Sequence, residues 1–87
     1  MAKATRILAK MRRGPLGWRI EDFEVVASAY GCAIRRSGGS HVVFTHPGSL
    51  EAQSVPAHRP IKPVYVRHFV AWIDSLEEGH GTKEEQD

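Results

Sequence analysis

The sequence predicts an α+β domain, a three-stranded antiparallel sheet carrying helices on one face. Two segments before residue 31 and one after residue 63 repeat apolar residues at helical spacing. Between them lie three short strand-like runs, bounded by Ser37-Gly38-Gly39-Ser40 and Pro47-Gly48-Ser49. Eighty-seven residues suffice for one domain and leave no room for a second.

In the first helix Ala4, Ile7, Leu8 and Met11 form an apolar stripe, and Lys3, Arg6, Lys10 and Arg13 lie on a neighbouring face. That basic face suits either water or phosphates. Gly14-Pro15 and Gly17 close the helix. The second helix shows its core face as Ile20, Phe23, Val26, Ala27 and Tyr30. Its first turns hold Glu21, Asp22 and Glu24, where the helix dipole favours acids, and Gly31 ends it. Cys32 to Arg36 and His41 to His46 read as a hairpin. Gln53-Ser54-Val55 returns as a third strand that Pro56 ends.

A proline-punctuated loop from Ala57 to Pro63 follows, and Pro63 is well placed to open the last helix. There Val66, Phe69, Ile73 and Leu76 repeat at 3-4-3 spacing, widened by Tyr65 and Trp72. Residues 1–76 therefore form the domain. The segment 77–87 has no apolar residue and is expected to be a disordered acidic tail.

Hydrophobic residues make up 41% of the chain and charged ones 25%, the profile of an ordinary globular domain. No apolar run approaches a membrane span, and no signal-peptide core is present. With Cys32 as the only cysteine, no internal disulfide can form, and a cytoplasmic, reduced setting is expected. The net charge of +2 conceals an asymmetry. Residues 1–73 hold eleven Lys and Arg against four acids, a net +7, and residues 74–87 hold six acids against Lys83, a net −5. A small body with that excess attracts polyanions, RNA and DNA first.

The candidate chemistry centres on the turn Gly38-Gly39-Ser40 and the residue it presents, His41. An imidazole titrates near neutrality and can both take and give a proton. Strand alternation sends His41, Val43 and Thr45 one way and Val42, Phe44 and His46 the other. The bulkier second set should face the helices, leaving His41 on the open side with Arg35-Arg36 on the partner strand. His46, beside Pro47, reads as a structural hydrogen-bonder, His68 as a boundary residue, and His80 as part of the tail.

His41 and His46 lie on opposite faces, no HExxH pattern occurs, and one cysteine cannot build a zinc cluster, so no metal and no cofactor are expected. Cys32 follows a helix stop, where a small apolar residue is expected. No nucleophile elbow, phosphate loop or dinucleotide fingerprint is present. A histidine among cations on an open sheet suits RNA cleavage. Neutral His41 takes the proton of a ribose 2′-OH, the oxygen attacks the adjoining phosphate, and Arg35, Arg36, Arg59 or Lys62 offsets the charge that develops.

Ser37-Gly38-Gly39-Ser40-His41-Val42-Val43-Phe44, then His46-Pro47, then Val55-Pro56-Ala57-His58, then a helix opened by Lys62-Pro63, together resemble the HicA (YcfA-like) toxins. The resemblance spans roughly Trp18 to Leu76. It implies a fold like the double-stranded RNA-binding domain, to which the first helix is an addition. It also implies an mRNA-cleaving toxin of a bacterial type II toxin–antitoxin pair, an mRNA interferase needing no metal, with His41 as catalytic residue. A HicB-type antitoxin covering the active face is implied as partner. His58 aligns with the histidine of the Pro-x-His element and is left as either a second proton carrier or a structural residue.

Three features depart from the family pattern: the basic first helix, a longer connection from Gly48 to Ala52, and the acidic tail. The last helix lacks a lysine-rich start, having only Lys62 and Arg67, so single-stranded RNA is expected ahead of a duplex. Two rival readings keep the fold without the chemistry: a non-catalytic RNA-binding module, or a decayed toxin serving as a protein-interaction domain.

Overall fold

A computed structural model describes residues 3–37, 39–58 and 60–86, with side chains within those ranges except at 37 and 77–86. The elements are α1 (Lys3–Arg13), α2 (Ile20–Ala29), β1 (Ala33–Ser37), β2 (His41–Thr45), β3 (Gln53–Pro56) and α3 (Pro63–Gln86). The strands form one antiparallel sheet in the order β1-β2-β3. This is the α+β architecture expected, consistent with the double-stranded-RNA-binding-domain-like fold.

One face of the sheet is sealed. Val42, Phe44 and Val55 point beneath it and are buried against Phe23, Val26, Val66, Phe69 and Ile73 of α2 and α3. Phe69 is the hub of the ring contacts. Its centroid lies 4.7 Å from that of Phe23, 5.4 Å from Phe44 and 6.2 Å from Trp72, the tilted spacing that aromatic pairs prefer. Helix α1 adds a further layer, burying Ala4, Leu8 and Met11 across α2 and α3. Arg12 of α1 pairs with Asp74 of α3 at its rim.

The element limits have local causes. Cys32, expected in the first strand, instead sends its N–H to the Ala27 carbonyl (2.9 Å) and closes α2, so β1 starts one residue later. β2 stops at Thr45, one residue early, because the His46 carbonyl accepts the Ser49 N–H (3.0 Å) in a turn. Pro56 is inside β3, facing His41, which a proline can do because β3 is a sheet edge. Asp22 accepts the Arg19 N–H at 3.1 Å and fastens the start of α2.

The largest departure is α3, which continues to Gln86 where a disordered tail from residue 77 was expected. Lack of apolar residues removes a reason to pack but not the ability to coil. Extending an existing helix avoids the cost of nucleating one, and the Glu and Lys residues of the segment favour the helix while Gly79 and Gly81 oppose it.

Replacing Phe69 with alanine should lower the unfolding free energy by about 3–5 kcal/mol, much of what a small domain possesses. Urea unfolding followed by circular dichroism checks this, and an unchanged midpoint would refute the hub role.

Candidate active site

The site is built on the hairpin that starts β2. Gly39 has φ of 118°, a conformation L side chains rarely adopt, so the tight turn needs glycine there. With the turn closed, Ser37 stands opposite His41 in the β1–β2 register, and Pro56 stands opposite it on β3. His41 is exposed, while its strand neighbours Val42 and Phe44 are buried. The imidazole is thus held by a rigid strand and open to solvent, on the face the alternation predicts.

The register separates the two arginines that the sequence offers together. Arg35 pairs with Val43 and shares the open face with His41. It is diagonal to His41, a relation of about 7–8 Å between backbones that a long side chain spans. Arg36 pairs with Val42, on the helix side, where its guanidinium meets the carboxylate of Glu24. Arg36 therefore does not join His41. Its phase along the strand excludes it. Arg59 and Gly38 lie outside the described residues.

A second group reaches the same end of the sheet through the backbone. The Ala57 N–H donates to the Ser40 carbonyl at 2.6 Å, tying the chain after β3 to the turn that presents His41. His58 follows and is exposed. It lines a cleft of about 190 Å³ with Pro56, Pro60, Ile61, Lys62 and Tyr65. Pro56 belongs to both places, facing His41 across the sheet and walling the cleft. The Lys62 carbonyl accepts the N–H groups of Tyr65 (3.0 Å) and Val66 (3.4 Å), so its backbone starts α3 while its side chain stays exposed. His58 and Lys62 thereby line one cleft, on the chain that is bonded to the turn presenting His41. Tyr65, expected only to widen the core face of α3, is half-buried and lines this cleft.

The other titratable groups have different employment. His46 Nδ1 accepts the Gly48 N–H at 2.8 Å, the structural role its place beside Pro47 suggested. A Cβ at residue 48 would sit 3.1 Å from that nitrogen, tighter than an ordinary contact, so a larger residue there would press on the imidazole. The connection continues to Ser49, whose hydroxyl accepts the Trp72 indole N–H at 3.1 Å. His68 is exposed on α3, and His80 lies outside the described side chains. Partial burial pushes the Cys32 thiol above its ordinary pKa, which keeps it protonated and a poor nucleophile at neutral pH. Among the described residues, no group of three His, Cys, Asp or Glu side chains is placed to hold a metal ion.

The candidate site is therefore an exposed histidine on the open face of a small sheet, with Arg35 on the same face and the helices behind. The family model of the HicA toxin of bacterial toxin–antitoxin systems matches residues 20–74. The chain belongs to this family, and it is accordingly the toxin of a toxin–antitoxin system, with a toxin–antitoxin partner implied. The matched segment starts at α2 and leaves α1 outside it. No curated protein and no solved structure matches the chain. No helix among the described residues is long and apolar enough to cross a membrane.

The two strand histidines should separate in stability measurements. His46→Ala, which orphans the Gly48 N–H, should cost about 1 kcal/mol, and His41→Ala should stay within about 0.5 kcal/mol of wild type. Thermal and urea unfolding of both variants check this; equal losses would contradict the assignment.

Proposed function

We propose that this toxin is a metal-independent endoribonuclease that cleaves mRNA in the cytoplasm, with His41 as general base, and that a HicB-type antitoxin covers the open sheet face. The observation that carries this reading is the exposure of His41 on a rigid strand, with Arg35 on the same face and the His58–Lys62 cleft adjoining. A general base must be accessible yet fixed, and His41, exposed on the paired central strand, meets both conditions.

In this mechanism neutral His41 removes the proton from a ribose 2′-OH. The freed oxygen forms a bond to the adjoining phosphorus, the bond from phosphorus to the 5′-oxygen breaks, and a 2′,3′-cyclic phosphate results. Arg35 and Lys62 offset the charge that builds on the phosphoryl oxygens. The departing 5′-oxygen takes a proton, and exposed His58, on the chain tied to the His41 turn, is the second proton carrier of this reading. The nucleophile is supplied by the RNA itself, so DNA is not a substrate. Single strands are favoured over duplexes, because α3 offers few cations at its start to grip an A-form groove.

His41→Ala should reduce cleavage of a single-stranded RNA by about 10²–10⁴-fold while the circular dichroism spectrum stays unchanged. Cleavage by wild type should persist in a chelator and leave cyclic-phosphate ends. Equal cleavage by the variant, or none by either protein, would defeat the proposal.

The two arginines give a separate test. Arg35→Gln should lower kcat/KM by about tenfold, less than a preorganised buried donor would cost. Arg36→Gln should leave it near wild type. A larger loss at Arg36 would contradict the register argument.

A further inference from the structure

Helix α1 is outside the family segment, and its outward face is not explained by packing. Its inner side supplies Ala4, Leu8 and Met11 to the core. On its outer side Lys3, Arg6 and Lys10 stand one turn apart and line a groove of about 550 Å³ with Ile7, Trp18 and Asp22. All three cations are exposed and, among the described residues, none is in an ion pair. The one acid of the groove, Asp22, accepts the Arg19 N–H. Trp18 is half-buried, and its indole N–H donates to the Gly14 carbonyl at 2.7 Å, which anchors the ring at the groove.

The groove also leads somewhere. The Ile61 N–H donates to the Trp18 carbonyl at 3.3 Å, so the tryptophan end of the groove adjoins the loop that forms the His58–Lys62 cleft. That cleft shares Pro56 with His41, and Ala57 is bonded to the His41 turn. The chain at Trp18 and the turn that presents His41 are thus each bonded to the same loop, at Ile61 and at Ala57.

We propose that the α1 groove is a second binding subsite for single-stranded RNA, in which Lys3, Arg6 and Lys10 hold successive phosphates and Trp18 stacks a base, extending the strand whose 2′-OH His41 deprotonates. A row of cations beside an aromatic ring is the arrangement that grips single strands regardless of sequence. An acidic protein would find the charges but would not need the ring. The proposal takes its ligand class from the nuclease reading, yet its test requires no cleavage.

The test is equilibrium binding of labelled RNA to His41→Ala, with and without Arg6→Gln and Lys10→Gln, over a range of salt concentrations. For an RNA of about 16 nucleotides, long enough to cover both subsites, the added pair should weaken binding about tenfold. It should also reduce the slope of log K against log salt by about 1.4, the value for two lost phosphate contacts on a single strand. A tetranucleotide should bind the two proteins alike. The pair Arg36→Gln and Arg67→Gln, which removes equal charge elsewhere, should leave the long-RNA slope unchanged.

Several results would overturn the proposal. They are an unchanged slope in the α1 variant, equal effects from both pairs, or no binding of the long RNA by His41→Ala. The first of these, with the fold intact, would assign the α1 face to a protein partner. If wild type cleaves RNA and the slope does not move, the subsite falls and the nuclease reading stands. If the slope moves and wild type does not cleave, the reverse holds.

Discussion

The packing of Phe69 against Phe23 and Phe44 is the constraint from which the site follows. These rings come from α3, α2 and β2, and together they decide which face of the central strand is inside. Side chains alternate along a strand, so burying Phe44 and Val42 obliges His41 and Val43 to point the other way. A slip of one residue would put the imidazole under the helices and lift a phenylalanine into water. The energetic penalty for that exchange is much larger than any interaction His41 itself makes. The site is therefore positioned by residues that take no part in its chemistry.

The turns around the sheet divide the histidines by role. At one end of β2, His46 accepts a backbone N–H, and the connection beyond it is held to α3 through Ser49 and Trp72. At the other end, His41 is exposed beside a chain fastened through Ala57 and Ser40. Two residues of one type, five positions apart, thus serve a fold and a surface. The difference arises from which atoms the neighbouring backbone offers, not from the imidazole.

Helix α1 shows how a small domain can gain core and surface from one addition. The sheet and two helices leave α2 and α3 with flanks to cover, and Leu8 and Met11 of α1 are almost completely buried there. An amphipathic helix used this way must present its opposite side to solvent. Its charge is then free to vary without loss of packing, and here a basic row stands beside Trp18.

Much of this was legible in the chain. The apolar stripe of α2, the alternation in β2 and the proline opening α3 each express the period of a single element, and period is a property of local sequence. The exposed face of His41 was readable for the same reason, and the structural role of His46 from its place beside Pro47. The separation of Arg35 from Arg36, the cleft that joins Tyr65 to His58, and the bond from Ile61 to Trp18 were not, because each depends on pairing between segments far apart in the chain. The extent of α3 escaped as well, since apolar spacing marks where a helix packs and not where its hydrogen bonding ends. The sequence by itself determined which elements form and which side of each faces inward, because side-chain periodicity and turn chemistry act over a few residues. Only the tertiary structure decided which cations share a surface with the histidine, because register and loop anchoring are settled by the joint burial of distant side chains.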